Sequence, residues 1–221
     1  MRVATLGAGR MGRGLAVVFA FAGHKVDMVD FKARDAEAFA AFAAETRKEI
    51  ADTFGILCRI GLMRAEHVAP LTARVHVVPL AQAAGAFGEA DYIFEALPEV
   101  LELKRAGLAE ASRMARPDTI IASTTSTILV DDMSGAVADP GRFINAHWLN
   151  PAFLVPLVEL SPGKATRPDV TDGIKAMLEG IGKKPVVCAA TPGYIVPRIQ
   201  GMAMNEAARM VEEGVATAED I

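Results

Sequence analysis

Cysteine is scarce. Cys58 and Cys188 are the only two in 221 residues, and no metal or redox spacing joins them. That argues against a disulfide scaffold and a thiolate metal site, and it suits a reducing compartment. The histidines His24, His67, His76 and His147 are scattered, with no ligand pattern that would hold a metal. Basic charge shows no excess: 23 Lys plus Arg stand against 27 Asp plus Glu, a net charge of −4, so there is no electrostatic footprint for nucleic acid. No apolar run approaches the length of a membrane span. The first residues enter a strand pattern at once, leaving no room for a signal peptide, so the expectation is a soluble cytoplasmic protein. Apolar residues make up 52% and charged ones 23%, ordinary for a globular α/β chain of one large domain or one and a half.

What is there begins at Met1. Arg2-Val3-Ala4-Thr5-Leu6 has the pattern of a short buried strand, and Gly7-Ala8-Gly9-Arg10-Met11-Gly12 follows directly. Gly14 to Ala22 reads as an apolar helix and Lys25 to Asp30 as a second strand ending in an acid. A βαβ unit with G-x-G-x-x-G at its first turn and a carboxylate after its second strand predicts a dinucleotide site. Gly7 permits the tight turn, Gly9 lets a pyrophosphate approach the backbone, and Gly12 lets the helix pack on the strand. The opening N–H groups of the helix, Arg10 and Met11 among them, face the phosphates. Asp30 is expected to accept hydrogen bonds from the adenine-ribose hydroxyls and to repel a 2′-phosphate, which favours NAD over NADP. Lys32 and Arg34 follow closely and could soften that preference, but they are read first as solvated loop charges. The same unit also accommodates a flavin or a nucleoside.

Further on, Asp35 to Phe54 shows helical spacing, Gly55 is expected to break the helix, and a second helical segment is expected over Gly61 to Leu71. Strands are expected at 74–78, 91–95, 119–122, 142–147, 156–161 and 185–188, and helices at 98–114, 170–181 and 193–213. Pro98 and Glu99 suit the first turn of the 98–114 helix. The expected class is α/β: a Rossmann-type, mostly parallel sheet with a helical hairpin insertion, followed by the first helix of a C-terminal all-α domain. The division falls at 1–190 and 191–221. Thr217-Ala218-Glu219-Asp220 resembles the N-cap of another helix, which suggests a fragment of a longer protein.

Ligands of open α/β sheets sit beyond the carboxyl ends of the strands. Three polar stretches fall there: Ser123-Thr124-Thr125-Ser126-Thr127, Asn145 to Pro151 around His147, and Glu159. A histidine can take an alcohol proton as hydride leaves the carbon, and a carboxylate on its other nitrogen fixes the tautomer. His147 and Glu159 lie on strands joined by a short loop, and Ser126 can hold a substrate oxygen. Spacing alone leaves open the alternatives that the hydroxyl run is a helix cap and that His147 is structural.

These stretches together resemble the 3-hydroxyacyl-CoA dehydrogenase family, including its relatives that act on carnitine or gulonate. The resemblance runs from Gly7-Ala8-Gly9-Arg10-Met11-Gly12 through Glu95-Ala96-Leu97-Pro98-Glu99, the hydroxyl run, His147-Trp148-Leu149-Asn150-Pro151 and Pro156-Leu157-Val158-Glu159 to Thr191-Pro192-Gly193-Tyr194-Ile195-Val196. It implies NAD as cofactor and a small-molecule substrate of the kind a CoA thioester of fatty acid metabolism represents. It assigns His147 as general base, Glu159 as its orienting partner, Ser126 and Asn150 to the substrate, and Glu95 and Ser123 to the cofactor, Glu95 near the nicotinamide ribose. The 35–71 insertion resembles the hairpin that helps bind CoA, and the family's C-terminal domain implies a homodimer. Pro197 stands where the family carries a substrate-positioning asparagine, and Asn145, Asn150 and Asn205 are the residues that can substitute. That departure keeps two alternatives in view: a non-CoA 3-hydroxy acid as substrate, or NAD binding without turnover.

Overall fold

The structure is a computed structural model describing residues 1–221. Its frame is an eight-stranded sheet in the order β3-β2-β1-β4-β5-β6-β7-β8. The strands are β1 (Arg2–Leu6), β2 (Lys25–Asp30), β3 (Val75–Pro79), β4 (Tyr92–Glu95), β5 (Ile120–Ser123), β6 (Phe143–Trp148), β7 (Leu157–Pro162) and β8 (Lys184–Val187). All neighbours are parallel except β6 and β7, which pair antiparallel. The helices are α1 (Arg10–Phe21), α2 (Ala36–Arg59), α3 (Val68–Thr72), α4 (Ala83–Gly88), α5 (Leu101–Met114), α6 (Val130–Ser134), α7 (Pro168–Gly180) and α8 (Val196–Glu212). The chain runs outward from β1 to β3 and then crosses back to lay β4 on the other side of β1. This reversal opens a crevice beyond the carboxyl ends of β1 and β4.

Strands covered on both faces need side chains that are apolar in both directions. Val3, Ala4 and Leu6 of β1 are all fully buried. One face of the sheet packs Phe19 of α1 against Phe94 and Trp148, with both Trp148 ring pairs 5.9 Å apart and edge-on. The other face packs Phe87, Met133 and Phe143. Alternation along β6 sends Ile144, Ala146 and Trp148 into the first core and turns Asn145 and His147 to the opposite face.

Several boundaries differ from the sequence expectation. Helix α1 starts at Arg10, not Gly14, with Gly9 as its N-cap. Helix α2 runs through Gly55 to Arg59 without a break. Buried Ile50, Phe54 and Leu57 anchor it on both sides of the glycine, and that packing outweighs the helix penalty of about 1 kcal/mol. The stop comes at Gly61, whose φ of +77° suits a glycine. The second arm of the insertion is shorter than expected, a 3-10 turn at Ala65–His67 leading into α3. Helix α5 starts at Leu101 and α8 at Val196, so Glu99 and Tyr194 lie in the preceding connections.

Candidate active site

The glycine turn defines one wall of a cavity of about 650 Å³ between β1, β2 and the segment after β4. Gly7 has φ +111°, and a Cβ there would lie 2.8 Å from the carbonyl oxygen of Ala96. A Cβ on Gly12 would lie 2.2 Å from the Gly7 oxygen, whereas one on Gly9 would meet nothing within 4 Å. Gly9 therefore opens toward the cavity, and no side chain caps the first N–H groups of α1. Gly7, Gly9, Arg10, Met11 and Asp30 all line this space. Bare N–H groups at a helix start suit a pyrophosphate, and a carboxylate at the end of β2 suits a ribose, so the residues fit a dinucleotide.

Arg34 is exposed on its loop but not a free charge. Its Nε donates to Asp30 Oδ2, and its guanidinium lies 4.3 Å from the ring centre of Phe42 on α2. The Lys32 backbone N–H reaches Asp30 Oδ1 at 3.3 Å. The Asp30 carboxylate is thus held against the cavity wall by its own loop, only 4% exposed.

At the end of β4 the structure reassigns a role. Glu95 is fully buried and cannot face a ribose. Its oxygens accept from Lys104 Nζ at 2.9 and 3.0 Å, from Leu97 N at 2.6 Å and from the Ser123 hydroxyl. Ser123 is equally buried, and its hydroxyl serves Glu95 rather than a ligand. Lys104 of α5 is itself buried, so the Glu95 carboxylate, its cation and the Ser123 hydroxyl meet in the interior. The carboxylate at the surface is Glu99. One of its oxygens, Oε1, accepts from Ser126 N at 3.0 Å, Thr127 N at 3.1 Å, Thr127 Oγ1 at 3.0 Å and the Thr125 hydroxyl. Burial pulls the Glu99 carboxyl upward, but hydrogen bonds from Thr125 and Thr127 and the charge of Lys104 outweigh it and hold the pKa below its ordinary value. Glu99 therefore clamps the hydroxyl loop, with Ser126 left exposed. The sequence reading spent Glu99 on a helix dipole, and its partners, 26 to 28 residues away, carry no local signal.

Antiparallel pairing of β6 with β7 sets His147 directly opposite Glu159. The His147 Nδ1 to Glu159 Oε2 distance is 2.7 Å, with the imidazole 7% exposed and the carboxylate fully buried. Glu159 Oε1 accepts from Ile195 N at 2.9 Å and Val196 N at 2.8 Å, at the head of α8. With Nδ1–H donated to Glu159, Nε2 keeps the free lone pair. Tyr194 lies parallel to the imidazole, ring centres 5.2 Å apart.

Asn145 is fully buried, and its amide donates to Ile128 O and Tyr194 Oη, so it cannot take the place of an asparagine at Pro197. Asn205 is exposed on α8. Asn150 is exposed at the rim, lining both the glycine cavity and a second one of about 490 Å³ with Arg10, Arg13, Glu49, Thr53 and Phe153. Lys183, which sequence reasoning passed over, is buried with Nζ donating to Ala152 O at 2.6 Å and Val155 O at 2.9 Å. Burial pushes its ammonium pKa down, and it pins the loop that follows Asn150. No helix is long and apolar enough to cross a membrane.

A dinucleotide fold that carries a buried imidazole–carboxylate pair on the same sheet as its glycine cavity has the build of a nicotinamide-dependent dehydrogenase. The sequence comparisons make this specific. Residues 2–191 match the NAD-binding domain of 3-hydroxyacyl-CoA dehydrogenase and residues 193–221 match its C-terminal domain. The chain belongs to the 3-hydroxyacyl-CoA dehydrogenase family, and NAD is the cofactor of the domain it carries. It is 34% identical to the 3-hydroxyadipyl-CoA dehydrogenase of Escherichia coli, over 99% of this chain and 44% of that protein. It is 36% identical to the L-carnitine dehydrogenase of Burkholderia mallei, over 99% and 64%. It thus spans less than two thirds of either relative. Among solved structures it resembles the (S)-3-hydroxybutyryl-CoA dehydrogenase of Ralstonia eutropha, with a TM-score of 0.87 and 29% identity over all of this chain and 74% of that one.

Proposed function

We propose that the protein oxidises the 3-hydroxyl of an acyl substrate, a 3-hydroxyacyl-CoA such as 3-hydroxybutyryl-CoA, to the 3-oxo product. The observation that carries this reading is the buried His147–Glu159 pair at 2.7 Å. Glu159 orients the imidazole and balances the charge that forms when Nε2 takes the hydroxyl proton. Ser126, exposed on its clamped loop, holds the substrate oxygen, and Asn150 contacts the substrate from the rim. Gly9 and the opening N–H groups of α1 would hold NAD, which would supply the acceptor for the hydride leaving C3.

The test is a panel of 3-hydroxy substrates, with and without CoA, followed by NADH absorbance. (S)-3-Hydroxybutyryl-CoA is expected to give NADH. His147→Gln is expected to cut kcat by about 10²–10⁴ while leaving NAD affinity nearly unchanged. Undiminished turnover in that variant refutes the assignment, and NAD binding without NADH from any substrate refutes the activity. A second reading, a non-CoA 3-hydroxy acid such as carnitine or gulonate, is favoured by Pro197. It sits in the first turn of α8 with no side-chain hydrogen bond to offer a thioester substrate. The relation to L-carnitine dehydrogenase supports the same reading, and the panel separates the two. The match of residues 193–221 to the family's C-terminal domain supports a homodimer formed through that domain. Sedimentation of the full-length protein tests that.

A further inference from the structure

We propose that Tyr194 is a positioning residue that locks the histidine and the hydroxyl loop to one another. The inference rests on the reading of His147 and Ser126 above. Tyr194 is the single non-glycine residue with a positive φ, +43°, and it is 4% exposed. A buried tyrosine in the left-handed region is strained, and such strain persists only where the surroundings hold it. Three contacts hold it. The ring stacks on the His147 imidazole at an interplanar angle of 20°. The hydroxyl accepts from Asn145 Nδ2 at 3.0 Å and donates to the Thr125 carbonyl at 3.2 Å. Thr125 is the loop residue next to Ser126 and shares its clamp, the Glu99 carboxylate.

The consequence is geometric. The Glu159 hydrogen bond fixes one edge of the imidazole but leaves the ring free to tilt about that bond. The stacked phenol removes that tilt. Its hydroxyl, at the far end of a rigid ring, sets how far the Ser126 loop stands from the histidine. The next two residues, Ile195 and Val196, give their N–H groups to Glu159. One short segment therefore holds the general base, its carboxylate and the loop that carries the oxygen ligand. Small displacements of reacting groups cost rate more than they cost binding.

Two variants of the full-length protein separate the parts. Tyr194→Phe keeps the stack and loses the hydroxyl bridge. Tyr194→Ala loses both. With (S)-3-hydroxybutyryl-CoA, the first is expected to lower kcat about fivefold and the second about a hundredfold, with KM for NAD unchanged in both. A merely structural role would lower NAD affinity and kcat together, and that result overturns the proposal, as does full kcat in Tyr194→Ala. A second readout does not depend on turnover. The imidazole C–H signals of His147, assigned among four histidines with His147→Gln, are expected to be shifted upfield by the stacked ring. Tyr194→Phe should keep the shift and Tyr194→Ala abolish it. If no substrate turns over, the dehydrogenase reading fails while this signal still judges the placement of Tyr194. An unshifted imidazole, or one indifferent to Tyr194→Ala, overturns it.

Discussion

Two glycines three positions apart make opposite demands, and replacing each by alanine separates folding from cofactor binding. At Gly12 a Cβ would lie 2.2 Å from Gly7 O, 3.2 Å from Gly7 C and 3.5 Å from Thr5 Oγ1. The nearest atoms are backbone, so no rotamer relieves the clash, and either the turn or the start of α1 must move. The same Gly7 oxygen accepts the Thr5 hydroxyl at 3.1 Å, so that bond is disturbed as well. Overpacking that shifts backbone costs about 1–3 kcal/mol, and a contact this short places Gly12→Ala near the upper end. Gly9 has φ −77° and open space around its missing Cβ. Gly9→Ala costs the fold only the poorer N-cap, about 0.5–1 kcal/mol. Its methyl, however, stands where a pyrophosphate meets the bare N–H groups of α1. One charge-assisted hydrogen bond is worth about 1.5–3 kcal/mol, so NAD affinity should fall about 10- to 100-fold. Urea unfolding followed by circular dichroism measures the first quantity and calorimetric titration with NAD the second. The reasoning is refuted if Gly9→Ala binds NAD as the unmodified chain does, or if the two variants lose equal stability.

Lys104→Met should destabilise the fold by about 3–5 kcal/mol in the same urea assay, because it leaves Glu95 buried without its cation. Adding Glu95→Gln should recover part of that loss, and no recovery would mean that the pair does not interact as described. The folded Glu99 pKa lies below its ordinary 4.5, so its contribution to stability is fully present above pH 4.5 and is lost as pH falls through the folded value. Glu99→Gln should therefore flatten the acid side of the stability profile, and an unchanged slope would count against the clamp. Asp30→Ala should weaken NAD and narrow the preference over NADP, read from Kd for both cofactors. An unaltered ratio would remove Asp30 from cofactor selection.

The most legible parts of the chain were those whose information is local. The limits of β1 and β2 agree residue for residue with the pattern reading, since Gly7 ends β1 and Gly23 turns the chain out of α1 just before β2. The glycine turn was legible for the same reason. The helix through Gly55 was not, because contacts of Phe54 and Leu57 with distant residues override a local breaker. At Glu95 the resemblance placed a cofactor contact on a carboxylate that the structure buries, while Glu99 stands exposed. Which acid is buried depends on where α5 places Lys104, and that is decided by packing.

The sequence by itself determined that the chain builds a dinucleotide fold, which family it belongs to, and which residue types stand at the strand ends. Tertiary structure alone decided how they meet. Sheet register put His147 opposite Glu159, the crossing of α5 buried Glu95 and left Glu99 to clamp the hydroxyl loop, and the turn into α8 laid Tyr194 on the imidazole. Local pattern fixes backbone conformation through sterics and solvation within a few residues. Contacts between residues tens of positions apart are set by how whole elements pack, and the chemistry of this site lies in those contacts.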